Sequence, residues 1–157
     1  MLMAKRNTKA KVAQWDLWVI AFFRRWFVPF ARIALFVVFF WFGCIKLFGM
    51  SPASPLAEAL TAKTIGLEYF DTIFKLLAFI ECVIGVLFLF PKAVRITVPL
   101  LFIHMAVVCS PLVLVPEMAW QQAFVPTLEG QYIIKNLVII AVAFGIAAHT
   151  EPLSKGS

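Results

Sequence analysis

Glu81 is the residue in this chain that most needs a chemical explanation. It stands in FKLLAFIECVIGVLFLF, near the middle of an apolar stretch of membrane-crossing length. A charge at the centre of a bilayer costs about 2.5–3.5 kcal/mol even on insertion scales. Glutamate is too short to reach the interface, so Glu81 is paired, protonated or facing a wet cavity. Lys46 and Lys135 are the cations that could meet it. Each lies near the outer end of a different apolar stretch, and a lysine stem spans a difference in depth. The plainer reading of either lysine alone is snorkelling to the interface. The plainer reading of Glu81 is a structural ion pair that locks two helices. Two cations and one anion on three helices at neighbouring depths point further, to one shared polar pocket in the outer half of the membrane. Asn136, beside Lys135, is grouped with it.

His104 falls at the midpoint of the third apolar stretch. It is either a neutral histidine hydrogen-bonded across helices or a site of proton transfer or of a bond to a quinone carbonyl. A metal site is not expected, because His149 sits at the far inner end of another helix. The sequence contains no haem pair, HExxH, phosphate-binding glycine loop or nucleophile elbow. Cys44, Cys82 and Cys109 all lie in apolar segments and form no CxxC. They read as small packing residues and are expected as free thiols. Small residues mark helix contacts: Gly43 on the first helix, Gly85 on the second, and Ala141, Gly145 and Ala148 on the fourth.

The elements that must hold these residues are membrane helices. The chain is 63% hydrophobic and 14% charged, against about 45–50% and about 25% for an ordinary soluble domain. The reading is all-α: an integral membrane four-helix bundle with an N-terminal interfacial amphipathic helix. The crossings are about residues 31–48, 72–90, 93–115 and 131–148. Residues 1–30 form a basic cytoplasmic tail and the interfacial helix, and residues 151–157 a second cytoplasmic tail. The stretch from Val12 to Phe30 mixes Trp15, Trp18 and Trp26 with Arg24 and Arg25, and its unbroken apolar run is too short to cross. It reads as retained, since no small-residue cleavage site follows a suitable apolar core. Pro91 and Lys92 mark a tight turn between the second and third helices. Pro99 and Pro111 fall inside the third, where neighbouring helices can satisfy the freed carbonyls. The two outer loops run from Gly49 to Asp71, with room for a short helix, and from Pro116 to Gly130.

The net charge of +6 is an insertion signal. Ten of the 14 Lys and Arg fall on segment ends that alternate to one side, whereas Glu58, Glu68, Asp71, Glu117 and Glu129 fall on the other. By the positive-inside rule both termini are cytoplasmic. The same placement argues against a nucleic-acid partner and for the lipid bilayer.

Three stretches resemble the DoxX-like superfamily of four-helix membrane proteins. They are ALFVVFFWFGCIKLFG with Phe42, Gly43 and Lys46, FIECVIGVLFLF with Glu81 and Gly85, and LEGQYIIKNLVIIAVAFG with Gly130 and Lys135. The resemblance covers residues 31–150 and is nearest to the branch of inner-membrane reactive-chlorine-resistance proteins. It implies a bacterial inner-membrane location and a link to thiosulfate:quinone oxidoreduction, oxidative stress or maturation of other proteins. The aromatic stretch before residue 31 is not part of that pattern.

Two functions follow as expectations. One is a redox- or oxidative-stress-associated subunit whose outer-half pocket takes a quinone. Lys46 and Lys135 would bond its oxygens, and Glu81 or His104 would exchange protons. With no electron carrier of its own, the chain is not a complete enzyme and would need a soluble or membrane redox partner. The other is a scaffold, an assembly factor or a small-solute carrier, in which the ions pair structurally. A homo-oligomer would enlarge the limited room that four short helices leave for transport.

Overall fold

The computed structural model describes residues 2–151, with side chains from Lys11 onward. The elements are α1 (Leu2–Leu47), α2 (Ser54–Thr64), α3 (Phe70–Phe88), α4 (Val94–Cys109), α5 (Pro111–Leu114), α6 (Pro116–Ala119), a small hairpin of β1 (Trp120–Gln122) and β2 (Val125–Pro126), and α7 (Leu128–Ala148). The tail beyond Glu151 lies outside the described residues.

The first difference from the sequence reading is at the N-terminus. A boundary between an interfacial helix and the first crossing was expected at Phe30. Instead α1 runs unbroken from Leu2, through the basic segment expected as a cytoplasmic tail. No glycine precedes Gly43, so Pro29 is the one residue that could stop the helix by its backbone chemistry. Proline removes one hydrogen bond and crowds the carbonyl four residues back, and here the helix continues past it. At 1.5 Å per residue α1 is about 69 Å long, more than twice the hydrocarbon thickness of about 30 Å.

Only the C-terminal part of α1 enters the bundle. Ala31, Leu35 and Phe39 are buried at four-residue spacing, the stripe one face of a helix presents. Phe27 marks where the bundle ends, against Gly145 and His149 at the close of α7. From Lys11 to Trp26 every side chain is exposed except the half-buried Val19.

α3 runs antiparallel to α1, since Gly43 faces Ala78 and Cys82 while Gly85 faces Phe36 and Phe40. α4 returns after a tight turn at Pro91–Ala93. α7 runs antiparallel to α4, because Arg95 donates to the Glu151 carbonyl at one level and Phe102 meets Phe144 at another. One core joins the four: Leu35 and Phe39 from α1, Ile84 and Phe88 from α3, Val98, Leu101 and Met105 from α4, Ala143 and Ile146 from α7.

Among the described residues, three helical stretches are long and apolar enough to cross a membrane: Lys11–Leu47, Pro91–Leu114 and Leu128–Ala148. α3 is of similar length but carries Asp71, Lys75 and Glu81. The chain is therefore an all-α protein with the helices of a membrane protein.

The third helix also differs from its expected extent, residues 93–115. It stops at Cys109, and Pro111 opens a separate turn of helix. Within a continued helix the Pro111 ring would crowd the Val107 carbonyl. That carbonyl is instead taken by the Ser110 hydroxyl at 2.8 Å and its amide at 3.2 Å. α7 begins at Leu128, three residues before the expected Gln131. Thr127 caps it, its Oγ1 accepting from the Gly130 amide at 3.0 Å and donating to the Met118 carbonyl at 2.6 Å. Gly130 is required there because a Cβ would stand 2.1 Å from the Ala119 carbonyl oxygen.

Candidate functional site

Close approach of α1 and α3 creates the site. A Cβ on Gly43 would lie 2.8 Å from the Ala78 carbonyl oxygen, and one on Gly85 2.8 Å from the Phe40 amide nitrogen. Backbone occupies both places, so neither position takes a side chain without the helices parting. The proximity lets Lys46, in the last turn of α1, reach across to the middle of α3.

Lys46 Nζ donates to both carboxylate oxygens of Glu81, at 2.7 Å to Oε1 and 2.6 Å to Oε2. The two side chains are 12% and 7% exposed, so this is a buried ion pair. His104, from the middle of α4, completes the group. Its Nε2 lies 3.3 Å from Glu81 Oε1. That approach is too oblique for a hydrogen bond, and neither ring nitrogen finds a hydrogen-bond partner among the described residues. The Phe39 ring meets the imidazole edge-on, with centroids 5.8 Å apart. Three ionisable side chains from three helices thus meet in an apolar surround.

The other residues expected in the pocket stand elsewhere. Lys135 is exposed, and its Nζ sits 4.8 Å from the centre of the Tyr132 ring. A lysine held over a nearby aromatic face is stabilised by the ring quadrupole. Asn136 is half-buried on α7 and is not a hydrogen-bond partner of Lys46, Glu81 or His104. The expected packing glycines divide similarly. Gly43 and Gly85 carry the α1–α3 contact, and Gly145 takes the Phe27 ring, which a Cβ would meet at 2.8 Å. Ala141 is exposed, and the buried face of α7 runs instead through Ile133, Ala143 and Ile146.

Nothing in the spacing of Cys44 and Cys82 brings the two together, and both are expected as free packing thiols. The structure brings their sulfurs to 4.0 Å. The pairing of Lys46 with Glu81 held the signal, since Cys44 and Cys82 are near neighbours of those residues on the same two helices. All three cysteines are free thiols. Among the described residues no cluster of three metal-ligating side chains occurs. A cleft of about 410 Å³ opens between α4 and α7 beside Arg95 and Glu151, and one of about 300 Å³ beside Trp120 and Phe124. Neither is lined by the Lys46–Glu81–His104 group.

No known family model, curated protein or solved structure matches this chain.

Proposed function

We propose that the chain is a four-crossing membrane protein whose working site is the Lys46–Glu81–His104 group, and that this group exchanges protons with, or hydrogen-bonds, a small polar-headed molecule such as a quinone. One observation carries the reading: a buried imidazole beside a buried ion pair, with both of its ring nitrogens unpartnered among the described residues. Leaving a buried donor or acceptor unsatisfied costs about 1–3 kcal/mol, and in an apolar bundle such a group calls for a role. A carbonyl or hydroxyl of a bound molecule would satisfy the free Nδ1. Glu81, held by Lys46, would stand next to it as a fixed negative charge. This fits a redox-associated membrane subunit of the DoxX-like kind, working with a partner that supplies the electron carrier.

The fourth crossing is α3. It lies alongside α1 and α4, and its 19 residues span about 28 Å, close to the hydrocarbon thickness. Its charges are accounted for. Asp71 and Lys75 pair at 2.7 Å near one end, and Lys46 neutralises Glu81. The basic residues of α1 up to Arg32, with Lys92 and Arg95, mark the cytoplasmic side by the positive-inside rule. The projecting part of α1 carries Trp15, Trp18, Arg24, Arg25 and Trp26, all exposed among the described residues, which suits a segment seated in the lipid interface.

The test is extraction of small molecules from the protein purified in mild detergent, followed by mass spectrometry, for the wild type and His104→Leu. A quinone present in the wild type and lost in the variant is the expected result. Absence of any small molecule, with an unrelated protein co-purifying in fixed ratio, would favour the scaffold or assembly-factor reading.

A further inference from the structure

The Lys46–Glu81–His104 reading makes no use of the two thiols beside it. Cys44 on α1 and Cys82 on α3 are both half-buried, and their Sγ atoms are 4.0 Å apart. The Cys82 thiol also points at the Phe40 carbonyl, 3.8 Å away. The contact falls where the helices come closest, since a Cβ on Gly43 would stand 2.6 Å from Cys82 Sγ.

We propose that Cys44 and Cys82 form a reversible dithiol–disulfide pair oxidised by small uncharged peroxides. A disulfide needs the sulfurs about 2.0 Å apart and the Cβ atoms about 3.5–4.5 Å apart. Side-chain rotation and a slight shift of α1 against α3 close the remaining distance of about 2 Å. In the first step one thiol sulfur attacks a peroxide oxygen. The O–O bond breaks, the sulfur becomes a sulfenic acid, and the departing oxygen leaves as water with the thiol proton. In the second step the other thiol attacks the sulfenic sulfur, the S–S bond forms and a second water leaves. The two thiols lose two electrons in all, and one hydrogen peroxide is reduced to two waters.

Position gives the pair its consequence. Cys44 is two residues from Lys46, and Cys82 adjoins Glu81. A bond between the sulfurs ties together the two helices that hold the ion pair, so oxidation is read at that site. Cys109, half-buried on α4, serves as an internal control.

The experiment exposes the full chain in lipid nanodiscs to hydrogen peroxide, alkylates the remaining thiols and takes the intact mass and a non-reducing peptide map. The expected result is loss of two alkylatable thiols, a Cys44–Cys82 peptide within one chain, and full recovery with dithiothreitol. Cys109→Ser should leave that result unchanged. Cys44→Ser should abolish the cross-linked peptide and let Cys82 oxidise singly. Three alkylatable thiols after treatment would overturn the proposal. So would single oxidation of Cys44 and Cys82 in the wild type, or a link found only between two chains. The wild-type peptide map decides the matter even where a serine variant folds poorly.

Discussion

At the scale of the residue, Glu81 behaves as its surroundings demand. A lone anion cannot sit in an apolar bundle, and Lys46 grips both its oxygens at 2.6–2.7 Å. Removing one partner strands the other, a change that costs about 3–5 kcal/mol in buried pairs. Glu81→Gln and Lys46→Gln should each lower thermal stability in detergent by that amount. The double variant should lose much less than the two combined, because neither charge is left alone. Lys135→Gln should instead be additive with Glu81→Gln, since Lys135 is engaged with Tyr132 and exposed. Coupling of Glu81 to Lys135 but not to Lys46 would contradict the geometry. The sequence alone justified both lysines as partners, because depth along a helix is legible in residue number. Which way a side chain faces is set by helix rotation, and a single charged residue near a helix end leaves that undetermined. His104 at the same level as Glu81 was legible for the same reason that Lys46 was. The contact of Cys44 with Cys82 required knowing that α1 and α3 meet at Gly43.

Elements are held by close backbone approach where glycine permits it and by loop contacts where it does not. Gly43→Ala and Gly85→Ala put a methyl group within 2.8 Å of fixed backbone atoms. Overpacking of this kind costs about 1–3 kcal/mol. Both variants should melt earlier, and Gly43→Ala should also weaken the Lys46–Glu81 pair. Ala141→Leu should be neutral in the same assay, because Ala141 faces outward. Small residues at four-residue spacing suggested that Ala141 and Gly145 share a packed face. In a membrane helix a small residue costs nothing on the lipid side, so spacing alone does not select the face. At the loop end, Lys63 of α2 pairs with Glu117 of α6 at 3.3 Å. The Glu117 carboxylate is held below its ordinary value of 4.5, first by its own backbone amide and then by Lys63. A depressed carboxylate pKa stabilises the fold above the unfolded value, and that contribution is lost as pH falls through the lower folded value. Hydrogen-exchange protection in α2 and α6, corrected for the intrinsic pH dependence of exchange, should therefore stay flat down to about pH 4.5 and fall only below it. Glu117→Gln should remove that acid step.

For the whole molecule, the number of crossings rests on where α3 lies. By charge content alone it stands apart from the other three helices, which is why hydropathy leaves its status open. Packing supports the proposed fourth crossing. Phe74, Ala78, Ile84, Gly85 and Phe88 of α3 are buried, and Ile84 and Phe88 belong to the same core as Leu35 of α1 and Leu101 of α4. In the proposed four-crossing arrangement α3, which shares one core with α1 and α4 and runs antiparallel to α1, occupies the same slab of lipid. A three-crossing arrangement would have to pull α3 away and expose that core. It would also strand Lys46 without Glu81. With α3 inside, the turn at Lys92 would fall on the side opposite the two long loops, and α7 would close on the side where α1 begins. Single cysteines introduced at Ala53, Gln122 and Lys92, in a background with the native cysteines replaced, should separate cleanly under a membrane-impermeant maleimide. Ala53 and Gln122 should react from one face of intact vesicles, and Lys92 only after the membrane is opened. On the proposal that the Lys92 face is cytoplasmic by the positive-inside rule, right-side-out vesicles should label the first two. Reaction of all three from the same face would place α3 outside the lipid and remove the fourth crossing, and with it the apolar setting that makes the buried Glu81 and His104 worth explaining.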